Sequence, residues 1–352
     1  AEYFGCSVDR IYDVGVAGIH RLLSQRDRIM KANCIVAVAG MEGALGTRLR
    51  SEYGLTFDPH VAMAALCLTE KGRAALRTLW GEYLGIAHEH GLPFLAATPT
   101  RRAGRERMEE GGYGTELFAA NTALLKEIRA ESGYVMYIGG LMGSRGDAYT
   151  GAGAPGRDEA RDFQAWQAEA LHGAGVDFLY AALMPALPES EGMAAAMGST
   201  GLPCLFSFTL RRDGRLPDGT ALSDAICRVD EACARAGCKA PLCYMTNCVH
   251  PRLVREALLR PFNRTDAVQR RFRGIQANAS PLDMEVLDGA DGTVTSPPEE
   301  WAQEMAALRD IMDVSIWGGC CGTDGRHLAA LAELAQAQDE NTHGVGLHKP
   351  QA

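Results

Sequence analysis

Short apolar runs alternate along this chain with longer stretches whose apolar positions recur every three to four residues. The runs at 35–39, 94–98, 134–139, 178–182, 204–208, 242–245, 274–277 and 314–317 are the length of strands and read as strands of a buried sheet. Between them, 60–90, 159–172, 221–236 and 299–312 carry the helical period and predict amphipathic helices. Strands alternating with helices predict parallel pairing through helical crossovers. Eight such units predict an α/β fold, the (β/α)8 TIM barrel, with active residues at the C-terminal strand ends. An open doubly wound sheet fits the alternation less well, because no Gly-x-Gly-x-x-Gly turn follows an early strand. Residues 11–30 predict an extra N-terminal helix. The chain therefore divides into an extension at 1–34, a barrel at 35–337 and a polar, aperiodic tail at 338–352.

At 352 residues and 47% hydrophobic content the chain can bury one barrel-sized core. A formal charge of −9 argues against a nucleic-acid surface. Arg101, Arg102, Arg105 and Arg107 form a local basic cluster, diluted by Glu106, Glu109 and Glu110. It reads as a solvated face or as a place for an anionic substrate group. No apolar run reaches the length of a membrane span. Eleven cysteines are thinly spread over a long chain, and the polar N-terminus lacks the apolar segment of a secretory leader. Reduced thiols in a cytoplasmic protein are the expectation.

The cysteines supply the candidate chemistry. Cys320 and Cys321 sit in Gly318-Gly319-Cys320-Cys321-Gly322-Thr323-Asp324, after the eighth strand, and Cys248 follows the sixth. A barrel brings these distant positions to one rim. Three soft thiolates select zinc, and three protein ligands leave one position open, as in catalytic rather than structural sites. The other readings are buried thiols acting as small hydrophobes, or a strained vicinal disulfide. The flanking glycines and strand-end positions favour the metal. Cys227, Cys233, Cys238, Cys243 and Cys248 recur at intervals of five or six, but that run crosses from helix through loop to strand and predicts no cluster.

Met245-Thr246-Asn247-Cys248-Val249-His250-Pro251 together with Gly318-Gly319-Cys320-Cys321-Gly322-Thr323 resembles the homocysteine S-methyltransferase family. Gly43-Ala44-Leu45-Gly46-Thr47, Ser207-Phe208 and Gln276-Ala277-Asn278-Ala279-Ser280 extend the resemblance from about Gly43 to Ala337. It implies a zinc-dependent (β/α)8 barrel with Cys248, Cys320 and Cys321 as metal ligands. It also implies a glutamate near the end of the fourth strand to hold the amino-acid part of homocysteine. Ala182 stands in that place, and the usual Asp-Gly after the first strand is Glu42-Gly43. Residues 6–44 instead resemble a fragment of the aminoimidazole-ribotide carboxylase-like proteins, including the carboxylase of nickel-pincer cofactor synthesis.

The expected activity is transfer of a methyl group from a sulfonium or quaternary ammonium donor to a small thiol such as homocysteine, as in methionine biosynthesis. Bound to the metal, the thiol loses its proton and becomes the nucleophile. Methyl transfer requires orientation more than acid or base catalysis, and no Ser-His-Asp or paired-carboxylate set is evident. The same chemistry on a non-homocysteine thiol, run as a catabolic demethylase or lyase, and an inactive hybrid protein are the alternatives. Glu42, Gly43, Thr98, Gly139, Ala182 and Asn247 are the candidate substrate contacts. Thr98 and Thr100 read equally as turn caps, Gly139 as part of a tight turn, and Asn247 as a brace for the turn before Cys248. Asp147 and Tyr149, after the third strand, are candidates for a polar or cationic group. His250 reads as a helix start, His327 as a packing or surface residue. The partners expected are two small molecules, thiol and donor, with no nucleic acid or membrane; the sequence sets no oligomeric state.

Overall fold

A computed structural model describes residues 35–36, 42–282 and 295–343. The extra N-terminal helix expected within 1–34 lies outside the described residues; of the tail expected over 338–352, residues 338–343 instead continue the helix Gly325–His343 and the rest lie outside the described residues. Eight parallel strands close into a barrel in sequence order. They are β1 (Ile35–Val36), β2 (Phe94–Ala97), β3 (Met136–Gly143), β4 (Phe178–Met184), β5 (Cys204–Phe208), β6 (Cys243–Val249), β7 (Phe272–Ala277) and β8 (Ile316–Gly319). β1 closes the ring: Val36 pairs with Phe94 of β2 and with Trp317 of β8. Among the described residues no helix is long and apolar enough to cross a membrane.

Alternation along each strand sorts the side chains. In β4, Leu179 and Ala181 join the apolar layer under the helices, while Phe178, Tyr180 and Ala182 join the cluster inside the barrel. In β2, Leu95 and Ala97 face in and Phe94 and Ala96 face out. This is the period-two rule applied to a sheet buried on both faces.

Two expected boundaries move for physical reasons. β3 runs through Gly143 rather than ending at Gly139. Gly139 and Gly140 are there for packing and make no turn. A Cβ on Gly139 would lie 2.5 Å from the Phe178 ring, and one on Gly140 3.0 Å from Leu171. The helix expected over 60–90 is broken: a 3₁₀ segment, Met63–Leu68, gives way at Thr69 to an α-helix, Glu70–Glu89. The Thr69 hydroxyl accepts a hydrogen bond from Gly72 N, a new N-cap that restarts the chain. The helix expected over 299–312 likewise ends at Ala306 and continues as a 3₁₀ turn, Ala307–Asp310.

Candidate metal centre

The end of β6 is irregular. Its register to β7 shifts between Asn247 and Val249, and Cys248 has φ = 57°, the left-handed region that side chains other than glycine occupy at a cost of roughly 1–2 kcal/mol. Regular alternation would send Asn247 and Cys248 to opposite faces. The bulge turns both inward: Asn247 bonds to Tyr180 and Gln276, and Cys248 belongs to the interior cluster. β4 ends the same way, with a register shift between Ala181 and Met184 and φ = 59° at Leu183, so that Ala182 and Leu183 both face the interior.

On the far side of β7, the glycine-rich turn after β8 presents the other two thiols. Gly322 has φ = 78°, and a Cβ on Gly319 would lie 2.2 Å from Thr323 Oγ1. Larger residues at either place would displace the loop that carries Cys320 and Cys321. The Thr323 hydroxyl in turn donates to Cys320 O at 2.8 Å.

Cys248 Sγ lies 2.6 Å from Cys320 Sγ, and Cys320 Sγ lies 4.0 Å from Cys321 Sγ. All three sulfurs fall within 4.8 Å of one another. Among the described residues this is the one group of three or more His, Cys, Asp or Glu side chains close enough to hold a metal ion. Tetrahedral coordination with bonds of about 2.3 Å separates sulfurs by about 3.8 Å, so the set has the reach and the softness for zinc. Hydrogen bonds from Cys248 and Cys320 hold the Cys321 thiol well below its ordinary range, and Arg101 acts in the same direction. Burial, with those neighbouring sulfurs, holds Cys320 well above it.

Asn278, buried just beyond β7, joins the two halves of the site. Its Nδ2 donates to Cys248 O at 2.8 Å, and its Oδ1 accepts from Cys321 N at 3.1 Å. Its own carbonyl accepts from Trp301 Nε1 at 2.9 Å. The sequence shows Asn278 only as part of the run after the seventh strand. A polar side chain directly after an apolar strand was the available signal for its role.

Under the cysteines lies a buried polar network on four strands. Asn247 Nδ2 donates to the Tyr180 hydroxyl at 2.6 Å and to Gln276 Oε1. The Tyr180 hydroxyl donates to the same Gln276 oxygen at 2.5 Å, and Ser207 donates to Asn247 Oδ1. Asn247 is therefore tied into the barrel floor. The two threonines after β2 are also engaged: Thr98 and Thr100 share a hydrogen bond of 2.8 Å, Thr100 donates to Leu141 O, and Leu141 N donates to Thr98. These bonds fasten β2 to β3. Gly139 sits in mid-strand under the Phe178 ring, four residues before the strand end. Ala182 lies in the interior cluster with Cys248 and Cys320. Glu42 and Gly43 open the helix Glu42–Ser51; their side chains are outside the described residues.

His250 is the N-cap of the helix Pro251–Leu258, its Nδ1 accepting from Arg252 N. Burial, with Arg252 adding to it, pushes its pKa down to about 4. His327 is buried against Trp301 and bonds to Asp324 and to Ser296 O. Asp147 accepts from Tyr149 N, Thr150 N and the Thr150 hydroxyl, which caps its own loop. The Tyr149 hydroxyl is pushed up by Cys248 and then by burial, with Cys321 and Cys320 adding to it.

The homocysteine S-methyltransferase family profile matches residues 41–335. The fold resembles crystal structures of the homocysteine methyltransferase MmuM of Escherichia coli. The metallated form aligns with a TM-score of 0.67 at 20% identity, covering 88% of this chain and 99% of that one. The oxidized form aligns at 0.65 and 20% identity, covering 90% and 99%. A further match, 36% identical over 81 residues and 19% of this chain, is to an uncharacterized protein of Methanocaldococcus jannaschii, of whose length the chain spans 32%.

Proposed function

The chain belongs to the homocysteine S-methyltransferase family and is a methyltransferase, and from that premise we propose that it is a zinc enzyme methylating a small thiol held beside Cys248, Cys320 and Cys321. The observation that carries this reading is the convergence of three thiols from two strand ends at one barrel mouth. A zinc ion on these sulfurs would accept the substrate thiol as fourth ligand and keep it deprotonated at neutral pH.

The chain's own residues do the positioning. Asn278 fixes the relative placement of the Cys248 and Cys320–Cys321 segments. The Tyr180–Asn247–Gln276 network closes the floor, and Leu141, Ala148, Ala182 and Leu183 wall the chamber against water. A shielded pocket of this kind favours attack on a methyl carbon held in line, because the nucleophile is oriented and poorly solvated. A sulfonium or quaternary ammonium donor suits this chemistry, since it leaves as a neutral molecule. With homocysteine as acceptor, the reaction would belong to methionine biosynthesis. The free thiols suit the reducing cytoplasm.

The test is metal content measured with thiol methylation. The wild type should hold one zinc per chain, and Cys248→Ala, Cys320→Ala or Cys321→Ala should lose most of the metal and the activity together. Full zinc retention in the Cys248→Ala protein would place the site elsewhere.

A further inference from the structure

The helix Leu222–Arg235 ends in a turn closed by two backbone bonds. Gly237 has φ = 68°, Cys238 N donates to Cys233 O at 3.0 Å, and Gly237 N donates to Ala234 O at 3.1 Å. In this kind of helix ending, the residue after the left-handed glycine folds back against the residue five positions before it, and their side chains meet. Here both are cysteines. The spacing that predicts no cluster over the whole run 227–248 is, between Cys233 and Cys238, the spacing that this turn closes.

A disulfide needs Cα atoms about 4.4–6.8 Å apart and side chains turned toward one another. A carbonyl and an amide joined at 3.0 Å hold the Cα atoms that carry them about 5–6 Å apart, inside that range. The Cys238 side chain is turned back along the turn, with its Sγ 3.5 Å from Cys233 O. Gly198, near the end of the helix Leu187–Ser199, leaves room for that sulfur: a Cβ there would lie 2.6 Å from Cys238 Sγ. Cys233 is fully buried and Cys238 half-buried, so one sulfur is open to a reagent and the other stands behind it. Burial holds the Cys233 thiol above its ordinary range, with Cys238 adding to it, so Cys233 stays protonated until its partner has reacted. A third thiol, Cys204 at the start of β5, is committed to Leu202 O at 3.3 Å.

This pair lies at the other end of the barrel from the metal centre. Cys238 comes five residues before β6 begins, and Cys248 is at the far end of that strand. At about 3.3 Å per residue, β6 alone sets the two sites about 15 Å or more apart.

We propose that Cys233 and Cys238 form a second thiol site, a dithiol that a small disulfide converts to an intramolecular disulfide without involving Cys248, Cys320 or Cys321. Cys238 loses its proton to solvent, and its thiolate attacks one sulfur of the small disulfide; that S–S bond breaks and one small thiolate leaves. Cys233 passes its proton to the departed thiolate, and its sulfur then attacks the Cys238 sulfur. The protein disulfide forms and the second small thiolate is expelled, taking up the proton that Cys238 gave to solvent. Two protein thiols are oxidised, and one small disulfide is reduced to two thiols.

The experiment treats the full-length protein, reduced and then cleared of reductant, with oxidised glutathione. The product is alkylated and digested with trypsin without reduction. Cleavage after Arg228, Arg235 and Lys239 puts Cys233 in the peptide 229–235 and Cys238 in the peptide 236–239, so trypsin separates the two unless a disulfide joins them. Mass spectrometry should find these two peptides linked, and the link should be lost with dithiothreitol. In Cys233→Ser, Cys238 should keep glutathione as a mixed disulfide, because no second thiol displaces it. The linked peptide is read on the wild type, so the proposal does not depend on how the variant folds. Glutathione left on Cys238 of the wild type, Cys233 linked to Cys204 or to any cysteine but Cys238, or both thiols recovered free would each overturn the assignment.

Discussion

Replacing Asn278 by leucine tests whether the fold or the metal holds the cysteines in place. The asparagine makes two hydrogen bonds, to Cys248 O at 2.8 Å and from Cys321 N at 3.1 Å. Leucine has the same branched outline but is bulkier, and it makes neither bond. It leaves a carbonyl and an N–H unpaired, each costing about 1–3 kcal/mol, so the metal-free fold should lose roughly 2–6 kcal/mol. The two segments would stay joined through the end of β7, by Asn278 N to Val249 O at 3.2 Å on one side and by Cys320 N to Ala277 O at 2.7 Å and Ala279 N to Cys321 O at 3.0 Å on the other. Zinc affinity should therefore weaken without vanishing, by about 10–100-fold, as is typical when a group supporting metal ligands is lost. Asn278→Asp should do similar harm, because a carboxylate still accepts from Cys321 N but sets an oxygen against Cys248 O. Chelator competition measures the affinity, and urea denaturation of the metal-free protein measures the stability separately. Zinc affinity within twofold of wild type in Asn278→Leu would refute the reasoning.

Two further perturbations address other parts of the molecule. Glu189 is fully buried at the start of the helix Leu187–Ser199; one oxygen accepts from Arg145 N at 2.5 Å and the other has no partner. Burial pushes its pKa up to about 7 against the bonds from Arg145 and Gly146. A raised carboxyl pKa favours the protonated fold, so this contribution is full below the unfolded value of about 4.5 and is lost as pH rises through about 7. It is worth up to about 3 kcal/mol. Glu189→Gln should remove that slope, so that its urea midpoint gains on the wild type between pH 5 and pH 8; parallel curves would contradict it. Deleting 1–31 should leave zinc binding intact, whereas deleting 1–40 removes Ile35 and Val36 and opens the ring between β2 and β8. Equal solubility and zinc content in the two truncations would mean that this strand does not close the barrel.

Much of the fold was legible because strands buried on both faces and amphipathic helices leave different periods. All eight apolar runs became strands, and β5 has the expected bounds. Errors came where a residue type has two physical uses. Paired glycines at 139 and 140 look like a turn, yet their missing side chains make room for Phe178 and Leu171. The cysteine triad could be read because barrel topology fixes which strand ends meet. Asn278 and the Tyr180–Gln276 floor could not, since each depends on contacts between loops or strands that no local pattern encodes. The bulges at β4 and β6 escaped for a related reason: a one-residue irregularity in an apolar run does not change its composition.

Those two bulges have a consequence for how such a mouth can change over generations. In a regular strand, interior positions come at every second residue, so exchanging one side chain leaves the set of contributing positions fixed. A bulge is one residue added to a strand end, and here each places two neighbours in the chamber, Ala182 with Leu183 and Asn247 with Cys248. A single insertion or deletion at such an end re-deals which side chains face the substrate, while the pairing below it keeps its register. Variation in this chamber is therefore open to changes in length as well as in residue type, with the barrel wall insulated from both.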